Sequence, residues 1–136
     1  SKSYGVGLGD WTCQMPDHWV FEGSGLKKGD TIKDLIGWEY HGFPLDSIHS
    51  MQVLASGPMV EPKEGNLYAT TVYELDQGNF VFNAGTCWWN MLLSSPPGKA
   101  GTLNTRGMFT GSPIDFSGTD QRVQTITRNL LERIRK

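Results

Sequence analysis

The absences in this sequence narrow its chemistry more than any motif does. It has only two cysteines, Cys13 and Cys87, far apart and in no CxxC pattern. A disulfide scaffold is thereby excluded, and two reduced, buried thiols fit a cytoplasmic protein. His18 and His49 stand at no metal-ligand spacing from each other or from a cysteine, so a zinc signature is missing too. No apolar run approaches the roughly 18 residues of a membrane span, no secretory leader is visible, and no N-x-S/T sequon occurs. There is no G-x-S-x-G elbow, and SPPGKAG (95–101) lacks the remaining glycine and the Ser/Thr of a phosphate loop. Gly5, Gly7 and Gly9 are followed by Asp10 where a dinucleotide fingerprint needs glycine, so the opening segment reads as a glycine-rich turn. Charged residues make up 19% and the net charge is −2, which argues against a general grip on nucleic acid.

What is present suits one domain over residues 1–136, of a size that buries about two-thirds of its unfolded surface. Seventeen glycines and seven prolines imply turns and short elements. Residues 121–136 carry five basic groups against Glu132, so this segment is +4 and the rest of the chain −6. A basic helix end complements the helix dipole, which accounts for that asymmetry without a nucleic-acid or membrane patch. Ser1 is not a methionine, so the chain reads as a processed product or a piece of something longer.

Four segments have strand character: 35–41, 50–57, 67–75 and 79–85. The last two form a hairpin across Asp76-Gln77-Gly78. PDHWVF (16–21) fits a short helical turn, and 94–118 reads as a long ordered loop. In 120–136, Val123, Ile126, Leu130, Leu131 and Ile134 make one apolar stripe, with Asp120 or Thr119 as the cap. The expected class is α+β: a mainly antiparallel sheet, mixed pairing left open, with a C-terminal amphipathic helix packed on one face.

The densest chemistry lies in DLIGWEYHGFP (34–44). Strand alternation puts Ile36, Trp38 and Tyr40 on a core face, and Leu35, Gly37, Glu39 and His41 on the other. Glu39 and His41 then stand about 7 Å apart, with Gly37 leaving space above them. Such a pair is half of a metal or acid–base site, or else a solvent-facing edge. Asn83 ends an apolar strand, where its amide either orients a ligand or ties down the neighbouring loop. Cys87 at a strand end has the position of an activated nucleophile, but two adjacent tryptophans favour a buried structural thiol. The five tryptophans share no strand spacing, so core or pocket-wall packing is preferred to a sugar-binding platform.

Four stretches in order add a family lead: GDWTCQMPDHWVFEGSGLKKGD, DLIGWEYHGFP, NFVFNAGTCWWNMLLSSPPG and DQRVQTITRNLLERI. Together they resemble the C-terminal region of the N,N-dimethylformamidase large-subunit-like family. The resemblance implies a region that ends a larger protein, whose catalytic domain is similar to class I glutamine-amidotransferase-like α/β folds. It implies that NFVFNAGT and the final helix complete that domain, with VLASG and LYATTVYEL as an antiparallel elaboration. It also implies a formamide-hydrolysing mononuclear iron held by two tyrosines and a glutamate upstream of this chain. An acidic residue from the C-terminal part belongs beside that iron, and Glu39 is the best match.

The leading expectation is therefore a module that supplies Glu39, with His41 and Asn83, to an amidohydrolase-type pocket completed elsewhere. Any catalysis would be C–N hydrolysis by the completed site, not by this chain alone. The implied partner is an upstream domain or another subunit, with oligomerisation open. The alternatives are a non-enzymatic carbohydrate- or protein-binding module using surface aromatics, and a structural domain that docks a partner.

Overall fold

The opening glycines make a strand, not a turn. In the computed structural model, which describes residues 4–59, 66–94, 101–103, 114–116 and 118–135, β1 (Tyr4–Thr12) pairs antiparallel with β2 (Thr31–His41). Gly5 and Gly9 are needed for close approach. A Cβ on Gly5 would lie 3.1 Å from the Tyr40 ring, and one on Gly9 3.0 Å from the Pro58 carbonyl oxygen. Sequence reading sees glycine as a breaker here, but the packing selects it as a spacer.

β3 (Met51–Pro58), β4 (Leu67–Glu74) and β5 (Phe80–Asn83) form a second antiparallel sheet in the order β3-β4-β5. The expected hairpin is the β4–β5 pair, with Gly78 at φ +82 in its loop. A bulge between Val53 and Ala55 breaks the alternation expected of β3, so that Leu54 and Ala55 are both buried. Within the expected loop 94–118, β6 (Gly101–Leu103) and β7 (Ile114–Phe116) pair antiparallel. Most of that loop lies outside the described residues.

Two single bridges join the larger sheets at both ends. Cys13 bridges Ala55, connecting the end of β1 to β3, and Thr86 beyond β5 bridges Tyr40 on β2. The path β2–β1–β3–β4–β5 therefore closes on itself. Thr86 secures the second seam. Its hydroxyl donates to the Leu35 carbonyl at 2.9 Å and accepts the Gly37 and Trp88 N–H groups at 3.0 and 3.1 Å. Trp11, Leu35, Ile36, Leu54, Tyr68 and Val72 fill the interior. Inside it, the Trp11 indole donates to Thr70 Oγ1 at 2.9 Å, and Thr70 donates onward to the Ala84 carbonyl at 2.7 Å.

The helix α1 (Gln121–Ile134) starts where expected, with the Asp120 side chain accepting the Arg122 N–H at 2.8 Å. Burial works against the Asp120 carboxylate, but hydrogen bonds from the Arg122 side chain and backbone outweigh it and lower its pKa. Arg122 also donates to the Thr31 carbonyl of β2 at 3.0 Å. Val123, Ile126 and Leu130 are buried, whereas Leu131 and Ile134 at 58% and 70% exposure leave the expected stripe. The helix docks on two 3-10 turns, Trp19–Phe21 and Trp89–Leu92. Asn129 donates to the Val20 and Glu22 carbonyls at 2.9 and 2.8 Å, and the Trp89 indole donates to Thr127 at 3.0 Å. The first of these turns begins later than Pro16, at Trp19, and is capped by His18, whose Nδ1 accepts the Val20 N–H at 3.3 Å. The architecture is α+β, as the sequence implies.

Candidate functional site

The space expected above Gly37 is filled. A Cβ there would lie 1.7 Å from Cζ3 of Trp88, whose ring occupies the slot; the residue is 4% exposed. Leu35 and Gly37 are consequently buried along with Ile36 and Tyr40, so both faces of this part of β2 are interior. Trp38 is half-buried and takes a left-handed conformation at φ +63. Only beyond it does the alternation yield an open face, where Glu39 and His41 are exposed and Tyr40 is buried.

The seam at Thr86 brings His41 to β5. The His41 backbone N–H donates to the Gly85 carbonyl at 3.3 Å, and the Asn83 side-chain nitrogen lies 3.0 Å from His41 Nδ1. The other end of the same amide is fixed, because Asn83 Oδ1 accepts the Gly85 N–H at 2.9 Å. Gly85 adopts φ +75, and a Cβ on it would meet the Ala69 carbonyl oxygen at 2.5 Å, so only glycine fits this turn. Asn83 thus ties down the loop, one of the two roles considered for it, and touches His41.

His41 and Asn83 border a cavity of about 160 Å³ whose walls include Pro44, Ile48, Met51, Thr71 and Val81. The register explains the convergence. Thr71 lies opposite Asn83, and Tyr73, two residues further on, lies opposite both Met51 and Val81, so one face of the sheet supplies the wall. These wall residues were missed from the sequence. Counting outward from the hairpin loop gives the Thr71–Asn83 pair, but nothing local ties that face to His41, 42 residues away from Asn83. Glu39 lies two residues before His41, opposite Val6 on β1, and outside the cavity lining. Among the described residues no hydrogen bond joins it to His41 or Asn83.

A second polar cluster lies at the same end of β4, on the alternate face, at Glu74. Glu74 accepts the Trp19 indole N–H at 2.9 Å and the Gln52 amide at 3.3 Å. His18 Nε2 and Arg133 each approach it to 3.8 Å, and Arg133 lies 5.2 Å above the Trp19 ring. Burial depresses the His18 pKa, and the Glu74 carboxylate only partly opposes this.

Cys87 corrects the expectation of a buried thiol. Trp88 takes the inward position, and Cys87 is exposed and free, while Cys13 is buried. Every tryptophan is buried or half-buried, as the packing reading requires.

A mononuclear iron needs several donor side chains converging on one point. Among the described residues no three His, Cys, Asp or Glu side chains gather where they could hold a metal ion. Neither of the two buried tyrosines, Tyr68 and Tyr40, completes one. Tyr68 is fully buried, its oxygen accepts the Thr12 N–H at 2.6 Å, and burial pushes its pKa up to about 12, which disfavours the phenolate a metal needs. Tyr40 is 3% exposed. These residues do not by themselves fit a mononuclear iron.

A family model described as N,N-dimethylformamidase beta subunit-like, C-terminal, matches residues 2–103. That span contains Glu39, His41 and Asn83 and ends before α1. Neither the curated proteins nor the solved structures give a match. Among the described residues no helix is long and apolar enough to cross a membrane.

Proposed function

This chain belongs to the N,N-dimethylformamidase beta subunit-like, C-terminal family, and on that premise we propose that it contributes one wall of an amide-hydrolysing pocket. His41 and Asn83 face the amide, and Glu39 supplies a carboxylate to the rim. Residues outside this wall, from an upstream domain or a partner subunit, complete the site. The observation that carries this reading is the doubly held His41–Asn83 pair at the border of a small, mostly apolar cavity. Pockets for small neutral ligands have that composition: apolar walls and a few oriented polar groups. Catalysis is a property of the completed site. Glu39 is exposed and close in sequence to His41, so it is placed to meet groups brought by the missing part.

The test is a titration of the folded chain with N,N-dimethylformamide, followed by backbone amide shifts. Changes should concentrate on 41–43, Thr71 and residues 81–85, and should vanish in His41→Ala with the fold unchanged. Shifts scattered over the surface, or unaltered by His41→Ala, would sink this reading. The buried and half-buried tryptophans lend no support to a flat aromatic platform for carbohydrate.

A further inference from the structure

The hydrogen-bond polarity at the cavity can be derived from the backbone outward. The Gly85 N–H needs an acceptor, and the Asn83 amide supplies it through Oδ1 at 2.9 Å. An amide has one oxygen and one NH2, so the Asn83 end facing His41, 3.0 Å from Nδ1, is the NH2. Two donors cannot share one hydrogen bond. Nδ1 of His41 must therefore carry a lone pair, which leaves the ring hydrogen of the neutral imidazole on Nε2. Rotating the amide by half a turn would free Nδ1 to hold the hydrogen, but would set the Asn83 NH2 against the Gly85 N–H. The Gly85 conformation, the Ala69 carbonyl beneath it and the His41 N–H to Gly85 carbonyl bond all hold that loop in place.

We infer that His41 acts in this cavity as a hydrogen-bond donor through Nε2–H, not as a proton acceptor, and that Asn83 is the positioning residue that sets this polarity. The ligand class follows from this chemistry and rests on the amide-pocket reading above. It is a small molecule with an exposed oxygen acceptor, an amide carbonyl or a carboxylate, and a short apolar group against Ile48, Met51 and Val81. A donor held toward an amide oxygen stabilises the charge that develops there when the carbonyl is attacked. Proton removal from the attacking water then belongs to another group.

Asn83→Asp inverts the polarity while preserving the loop. A carboxylate still accepts the Gly85 N–H, and its other oxygen accepts a hydrogen from Nδ1. Because such a neighbour also favours the doubly protonated imidazolium, the comparison is made at a pH high enough to keep the ring neutral, where Nε2 becomes the lone pair. Long-range 1H–15N correlation spectra of the full chain report the tautomer directly, independent of any ligand. The wild type should show the hydrogen on Nε2 and Asn83→Asp the hydrogen on Nδ1. Acetamide is the probe, and its affinity should fall about tenfold or more in Asn83→Asp, with the Gly85 amide signal retained as a check on the loop. A merely structural Asn83 would not move the tautomer.

A wild-type hydrogen on Nδ1 overturns the inference, and the amide pocket survives if acetamide still binds next to His41. An inverted tautomer with unchanged acetamide binding also overturns it, because the donor then plays no part in recognition. If acetamide fails to perturb the cavity in the wild type, the pocket reading falls, and with it the ligand class assigned to His41.

Discussion

At the scale of single residues, two glycines fix the geometry of the site for opposite reasons. Gly85 is required by its own backbone, at φ +75 and against the Ala69 carbonyl. Gly37 is required by a neighbour, because the Trp88 ring occupies the volume a side chain would need. Gly37→Ala must displace that ring from the Thr86 seam, and overpacking of this kind costs about 1–3 kcal/mol. The clash is with the ring itself and not a flexible chain end, so the upper part of that range is expected. Urea denaturation checks it, and a companion Trp88→Ala makes the check specific. That variant alone opens a cavity at a cost of about 3–5 kcal/mol. With the ring gone, the added methyl group has room, so the double variant should be less destabilised than the two losses added together. Strict additivity, or a neutral Gly37→Ala, would show that Trp88 does not hold the slot.

At the scale of elements, legibility followed the range of the interactions. The β4–β5 hairpin and the start of α1 were readable because a few adjacent residues encode each: the Asp76-Gln77-Gly78 loop and the Asp120 cap. β1 was not, because its glycines act on Tyr40 and Pro58, residues distant in sequence. The site divides the same way. Strand periodicity put Glu39 and His41 on one face, but the His41–Asn83 contact needs the ring of strands to close at Thr86. The Glu74 cluster was invisible for the same reason, since its members are scattered along the chain from His18 to Arg133. Its histidine also gives the stability of the fold a pH dependence. The His18 side chain is 7% exposed and is faced by Glu74 from β4 and Arg133 near Glu74 from α1, with Asp17 and Lys28 bordering the same depression. Its pKa lies below the ordinary 6.5 in the folded state, so the unfolded chain binds the proton more readily. The contribution of neutral His18 is complete above pH 6.5 and is lost as the pH falls below that value toward the folded pKa. One proton sets the maximum slope at about 1.4 kcal/mol per pH unit. His18→Gln should flatten that part of the stability profile, measured by urea midpoints from about pH 7.5 downward. An unchanged slope in His18→Gln would assign the acid sensitivity elsewhere.

At the scale of the whole molecule, the ring of strands closes beside the His41–Asn83 cavity, and among the described residues no three His, Cys, Asp or Glu side chains gather to hold a metal ion. The family's implied iron calls for ionised tyrosines, whereas Tyr68 is buried, bonded to the Thr12 N–H and held neutral up to about pH 12, and Tyr40 is buried beside Gly5. Glu39 is exposed, and a lone carboxylate on a surface holds a transition metal weakly, since affinity grows with the number and geometry of ligands. The purified chain, exposed to ferrous iron under reducing conditions and desalted, should therefore retain far less than one iron per molecule. Glu39→Ala should leave that small amount unchanged, because no set of three ligand side chains includes the carboxylate among the described residues. The informative comparison adds a separately produced upstream part. If the site is shared, iron retention should rise toward one per complex and fall again when the Glu39→Ala chain is used. Stoichiometric iron in the isolated chain, lost on Glu39→Ala, would overturn the shared-wall proposal and place an autonomous centre here.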